Sequence, residues 1–238
     1  MPWAARAAVC SGRFGKGMSV MTKSEVLRGI REVGILPVLR AGSVESAMLL
    51  ASAIADGGVS AMEVTMTVPG AIEVIRRLVK ERPDLLIGAG TVLDPETARM
   101  CILEGAQFVV SPALNLHTIA MCHRYSVAVM PGALTPTEIV TAWDAGADLI
   151  KVFPASAMGG AKYLQSLKAP LPQIELIPTG GVTLSTAADF LKAGAFSLGV
   201  GADLVNEAAC LEGRSTDVTA VASQYVGIVR EFRAALTS

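Results

Sequence analysis

Aromatic residues are scarce in this 238-residue chain, at 5% of the sequence, and charged residues make up only 17%. The signs nearly cancel, with 20 Lys and Arg against 21 Asp and Glu and a formal net charge of -1. A chain so balanced lacks the basic footprint of a nucleic-acid-binding surface. Low charge combined with 52% hydrophobic residues excludes intrinsic disorder. No apolar run reaches the length of a membrane span, because Gly, Asp, Glu, Arg or Pro interrupts each one. The four cysteines, Cys10, Cys101, Cys122 and Cys210, are widely scattered, with no CxxC pair and no histidine at ligand spacing. That pattern argues against a zinc site or a disulfide framework and fits a reducing cytoplasm. The two histidines, His117 and His123, are not spaced to share a helix face, and no acidic cluster suits a divalent cation.

What is abundant is small and aliphatic. The length suits one domain, or at most two, around a deep core. Residues 1–17 are poor in acids and carry Arg6, Arg13 and Lys16, a weak transit-peptide pattern without the continuous apolar stretch of a secretory signal. The plainer reading is a disordered extension over residues 1–20, with Met18 or Met21 as the functional beginning, ahead of one folded domain over residues 21–238.

Short β-branched apolar runs alternate with segments of helical period. The expected strands are Ile35 to Arg40, Ala61 to Thr65, Leu86 to Gly90, Phe108 to Ser111, Val127 to Met130, Leu149 to Phe153, Glu175 to Pro178 and Ser197 to Val200. They recur at intervals of roughly 20 to 26 residues, about eight in all, as a closed parallel barrel requires. Helices are expected between them: Val44 to Ala55 with the Asp56-Gly57-Gly58 stop, Ala71 to Val79 after Pro69, one capped by Asp94-Pro95-Glu96, one capped by Thr135-Pro136, and Ser185 to Lys192. Gly105, Gly146 and Gly194 are expected to end helices. The fold class is therefore α/β, a single (β/α)8 TIM barrel. Met21 to Glu32 adds an N-terminal helix across its bottom, and Asp217 to Leu236 adds a C-terminal one. An open doubly wound sheet is the competitor, disfavoured by near-equal units and the lack of a GxGxxG fingerprint.

In such barrels chemistry sits at the C-terminal ends of strands. The polar residues there are Arg40, Glu63, Thr65, Thr67, Thr91, Ser111 and Lys151, followed by Thr179-Gly180-Gly181 and Gly199-Val200-Gly201. Lys151 stands out, embedded in Leu149-Ile150-Lys151-Val152-Phe153-Pro154. An isolated ammonium in an apolar strand is costly, and burial favours the neutral amine that attacks a ketone to form a Schiff base. Glu63, in Ala61-Met62-Glu63-Val64-Thr65, is placed to act as general acid and base. The plain alternative is that the two form a structural ion pair. Gly180, Gly181 and Gly201 offer backbone N–H groups to a phosphate, aided by a helix starting near Ala202-Asp203; ordinary tight turns are the alternative. Arg40 offers a bidentate fork to a carboxylate, with Thr91 supplying a hydroxyl, unless Arg40 is spent in a surface salt bridge.

The stretch from about Gly34 to Val205 resembles the bacterial 2-keto-3-deoxy-6-phosphogluconate (KDPG) and 4-hydroxy-2-oxoglutarate (KHG) aldolases. It rests on Glu63-Val64-Thr65, Gly88-Ala89-Gly90-Thr91-Val92, Val110-Ser111-Pro112, Met130-Pro131-Gly132, Lys151-Val152-Phe153-Pro154 and Pro178-Thr179-Gly180-Gly181-Val182. The resemblance implies a metal-independent class I aldolase, with no cofactor beyond the covalent imine on Lys151 and with Glu63 as acid and base. Thr91 would contact the pyruvate carboxylate, Pro112 and Phe153 would wall the pyruvyl pocket, and Thr179, Gly180, Gly181 and Gly201 would line the rest of the substrate site. It also implies a homotrimer acting on a phosphorylated keto acid, with no nucleic-acid or membrane partner. Two positions depart from the pattern. Thr67 stands where some members carry arginine, so the cation is expected from Arg40, as in a galactonate-type branch. Ala202 stands where the family has a phosphate-binding serine. The galactonate-type aldolase is thus the near alternative; a barrel phosphosugar isomerase or epimerase, which needs no imine, and a non-catalytic phosphate binder are more distant.

Overall fold

The computed structural model describes residues 21–237; the extension expected over residues 1–20, and Cys10 with it, lies outside the described residues. The elements run α1 (Lys23–Val33), β1 (Ile35–Leu39), α2 (Val44–Asp56), β2 (Ala61–Thr65), α3 (Ala71–Glu81), β3 (Leu86–Gly90), α4 (Pro95–Leu103) and β4 (Phe108–Val110). Then follow α5 (Leu116–Arg124), β5 (Ala128–Met130), β6 (Gly132–Ala133), α6 (Pro136–Asp144), β7 (Ile150–Val152), a 3-10 turn (Ala155–Met158) and α7 (Ala161–Lys168). The chain closes with β8 (Leu176–Pro178), α8 (Ala187–Lys192), β9 (Leu198–Val200), α9 (Glu207–Leu211) and α10 (Ser215–Thr237).

Local chemistry sets the helix starts. Thr22 with Glu25, and Thr135 with Glu138, form reciprocal capping boxes, and Asp94 accepts from Thr97 N ahead of Pro95. Gly105, Gly146 and Gly194 take left-handed backbone after their helices, as expected.

The fold is α/β, and every strand pairing is parallel. All strand residues are buried, as befits a sheet with helices over its outer face. One sheet has the order β5-β4-β3-β2-β1-β9 and a second has β6-β7-β8. The single strand expected over Val127 to Met130 continues past Pro131 as β6. Pro131 has no N–H to give the ladder, so the run splits into β5, paired with β4, and β6, paired with β7. Pro131 still accepts from Lys151 N at 2.9 Å. On the far side, isolated bridges Leu176↔Ala195 and Thr179↔Gly199 tie β8 to β9.

Two apolar clusters hold this together. The larger lies between strands and helices. The smaller fills the N-terminal end of the strands, where Val26 and Ile30 of α1 meet Leu36, Leu86, Phe108 and Leu149. Each such side chain contributes about 1.5–3 kcal/mol by leaving water. Residue 88 is glycine because the Phe108 ring fills the space beside it; a Cβ there would lie 2.1 Å from that ring. Helix α1 thus closes the bottom, as expected. Helix α10 packs along α2, where the Thr219 hydroxyl donates to Ala53 O at 2.8 Å.

One expectation is corrected. No helix begins at Ala202-Asp203. Leu204 N and Val205 N both fold back to Gly201 O, making a single turn, and α9 starts only after Asn206, whose side chain caps Ala209 N. Asp203 cannot cap, because its carboxylate is held by Leu184 N and the Tyr225 hydroxyl. Among the described residues no helix is long and apolar enough to cross a membrane.

Candidate active site

Lys151 is the central residue of β7, with Gly132 and Ile177 as register neighbours. Its side chain is 6% exposed, and Nζ donates to Glu63 Oε1 at 3.2 Å. Glu63, 1% exposed, sits in β2 between Val38 and Gly88. The fold thus brings together the two residues that sequence alone marked as a pair. Burying an ion pair rarely gains stability, since desolvation offsets most of the Coulomb attraction. The pair therefore calls for a chemical reason.

The surrounding residues are shaped around it. Position 90 is glycine because a Cβ there would come 2.9 Å from the Glu63 carboxyl carbon. At Gly132 a Cβ would meet the Pro112 carbonyl at 2.3 Å, so Pro112 lies directly over the register neighbour of Lys151. The Phe153 ring centroid is 5.6 Å from Lys151 Nζ. Thr91 follows β3 with φ 57, a left-handed conformation that a β-branched residue adopts only at a cost of about 1–3 kcal/mol. Thr91 directly follows Gly90, the residue packed against Glu63.

Arg40 follows β1 and is exposed. It forms no ion pair among the described residues. The Thr65 hydroxyl donates to Leu39 O at 2.9 Å and also meets Thr67 Oγ1 at 2.7 Å. Thr67 is therefore tied to the end of β1 that carries Arg40.

Gly180 and Gly181 follow β8 with φ of 89 and 75. The Gly181 and Gly201 N–H groups have no backbone acceptor among the described residues, whereas Gly180 adjoins the bridge of Thr179 to Gly199. A Cβ at Gly181 would lie 2.4 Å from Ser156 Cβ, so the 3-10 turn closes on one side of it, whereas a Cβ at Gly201 would meet open space. Thr179, 7% exposed, packs against Gly199. The sequence reading gave no role to Ser156, Glu207 or Tyr225, and took Asp203 only as part of a helix start. The available signal was Tyr225, a tyrosine on the apolar face of a helix, whose hydroxyl needs a partner when buried.

His123, expected to bind no metal, bonds Gly146 O through Nε2 at 2.7 Å. Among the described residues no three His, Cys, Asp or Glu side chains form a metal-holding group.

The family described as KDPG and KHG aldolase matches residues 26–221. A 2-dehydro-3-deoxy-phosphogluconate aldolase from Treponema pallidum is 35% identical over 204 residues, covering 86% of this chain and 97% of that protein. A 2-dehydro-3-deoxy-6-phosphogalactonate aldolase from Escherichia coli is 35% identical over 204 residues, covering 85% of this chain and 96% of that protein. Among solved structures, a KDPG aldolase from Legionella pneumophila, with pyruvate captured at low pH as a covalent carbinolamine, matches with a TM-score of 0.78 at 28% identity. The match covers 83% of this chain and 96% of that one.

Proposed function

The chain belongs to the KDPG and KHG aldolase family and is a carbon–carbon lyase, and from that premise we propose how its residues divide the reaction. The substrate is 2-keto-3-deoxy-6-phosphogluconate, reversibly cleaved to pyruvate and glyceraldehyde 3-phosphate, with 4-hydroxy-2-oxoglutarate, cleaved to pyruvate and glyoxylate, as a second substrate. Lys151 attacks the C2 ketone. The carbinolamine loses water to give an iminium, and Glu63 moves the protons, directly or through water. Glu63 then takes the C4 hydroxyl proton as the C3–C4 bond breaks, and the bond electrons flow into the iminium. The enamine left behind is protonated at C3, and water hydrolyses the pyruvate imine to free Lys151. The imine is itself the electron sink, so the step requires no metal or cofactor.

The buried 3.2 Å contact of Lys151 Nζ with Glu63 Oε1 carries this reading. Thr91 and Arg40 take the carboxylate end, Pro112 and Phe153 wall the pyruvyl group, and the Gly180, Gly181 and Gly201 amides take the phosphate beside Thr179. Incubation with pyruvate and borohydride tests it. A three-carbon adduct on Lys151 is expected, and a folded protein without one refutes the proposal.

The exposed Arg40 and Thr67 favour one second reading, the galactonate-type epimer, which differs only at C4. The ratio of kcat/KM on the two epimers separates them. We read the two sheets as arcs of one eight-unit barrel, interrupted at Pro131 and joined at β8 and β9 by the isolated bridges. The assembly proposed is a homotrimer, for which the exposed apolar side chains Leu93, Met100, Leu103 and Leu116 offer contact surface. A reducing cytoplasm is supported by Cys101, Cys122 and Cys210 all being free thiols.

A further inference from the structure

Asp203 lies just beyond Gly201, in the mouth that the preceding section assigns to a phosphate. A carboxylate there is electrostatically unfavourable, because it repels the dianion it stands beside. Its contacts offer another reason for its presence. Asp203 Oδ2 accepts from Leu184 N at 3.2 Å and from the Tyr225 hydroxyl at 2.5 Å. The two donors belong to different parts of the chain, the loop after β8 and the long helix α10.

The connection extends in both directions. The Thr186 hydroxyl donates to Gly181 O at 2.9 Å and accepts from Thr183 N at 2.9 Å, so the loop that carries Leu184 is fixed to the first glycine turn. Gly201 O accepts from Leu204 N at 3.1 Å and from Val205 N at 2.9 Å, so the turn that carries Asp203 is fixed to the second. Between the strands themselves, β8 and β9 are joined only by isolated bridges. Tyr225 is fully buried, and burial together with the Asp203 carboxylate raises its phenol well above the ordinary value, so it stays a donor across the working pH range.

We propose that Asp203, clamped by Tyr225, is a positioning residue that sets the spacing between the Gly180-Gly181 turn and the Gly201 turn. It touches no substrate and acts through the two glycine loops. This rests on the reading that those loops hold the substrate phosphate.

The test compares KM for the phosphorylated keto acid with KM for unphosphorylated 4-hydroxy-2-oxoglutarate, in the wild type, Tyr225→Phe and Asp203→Ala. In both variants the ratio of the two KM values is expected to shift about tenfold against the phosphorylated substrate, with kcat changed far less. The sign in Asp203→Ala is decisive. Removing a nearby negative charge lowers KM for a dianion by Coulomb's law alone, whereas losing the clamp raises it. An unchanged or favourable ratio overturns the proposal. Asp203 is exposed, so its variant decides the matter even if Tyr225→Phe fails to fold. Inhibition of the wild type by inorganic phosphate separates the two claims. Inhibition with an unchanged ratio in the variants overturns the clamp alone. Absence of inhibition overturns the phosphate cradle and the clamp with it.

Discussion

The space beside Gly90 belongs to Glu63: a side-chain carbon at position 90 would stand 2.9 Å from the Glu63 carboxyl carbon, closer than real Cβ contacts come. Gly90→Ala is therefore expected to push the carboxylate aside without touching Lys151. A misplacement of this order costs about 100-fold in rate. The expected result is a large fall in kcat, while borohydride still traps pyruvate on Lys151. Equal loss of trapping and turnover would show that the substitution damages the fold instead.

On the proposed mechanism, Lys151 and Glu63 are kept for the reaction and not for stability. Lys151→Met leaves a buried carboxylate without its partner, a destabilisation of about 3–5 kcal/mol. Glu63→Gln slows turnover by about 100- to 10,000-fold but retains some imine formation. The double variant Lys151→Met with Glu63→Gln removes both charges, so it is expected to be inactive and at least as stable as the wild type. Denaturant unfolding of all three decides it; a double variant less stable than either single one would mean the pair is structural.

Glu207 holds the loop that presents Arg40. Its carboxylate accepts from Gly42 N at 2.7 Å and sits below the ordinary carboxylate range, through the Ser46 hydroxyl first and the Gly42 amide second. Arg40→Ala is expected to raise KM by about 10- to 100-fold, the worth of a charge-assisted hydrogen bond. Glu207→Ala should raise it less, and the double variant should be no worse than Arg40→Ala, because both act on one contact. Additive effects in steady-state kinetics would separate the two residues.

Alkali should loosen the fold through two thiols. Burial pushes Cys101 up to about 11 and Cys122 up to about 12. An unfolded thiol ionises near 8.5. Above that value the unfolded chain gives up protons that the folded chain keeps. Stability is therefore full below it and falls as pH rises toward the folded values, by about 1.4 kcal/mol per pH unit for each thiol. Unfolding free energies at pH 8 and pH 10 measure the slope, and Cys101→Ala with Cys122→Ala should flatten it. A slope unaffected by the two substitutions would place the alkaline sensitivity elsewhere.

Much of this architecture is legible in the order of residues. Ala61–Thr65 and Leu86–Gly90 coincide with the observed strands because their apolar runs end at polar or glycine residues that stop the ladder. Lys151 was legible because one charge in an apolar strand violates the local pattern. What escaped depends on contacts across long stretches of chain. The Asp203–Tyr225 bond joins a loop to a distant helix, and nothing local to Ala202-Asp203 distinguishes a held carboxylate from a helix cap. The division at Pro131 was equally hidden, since the missing N–H matters only once the neighbouring strand is known.

The plug of α1 and Phe108 closes the N-terminal end of the strands. With Val26, Ile30 and Phe108 almost wholly buried at the bottom, the end that carries Thr91 and the glycine turns is, among the described residues, the one open to the proposed reaction. In the proposed reaction the aldehyde leaves first, while the three-carbon fragment is still covalently attached. The water that frees Lys151 then enters by the space the aldehyde has vacated. Release in that scheme is ordered, so pyruvate added alone should tie up the lysine as a competitor, whereas the phosphorylated aldehyde alone should inhibit only by occupying the proposed phosphate cradle.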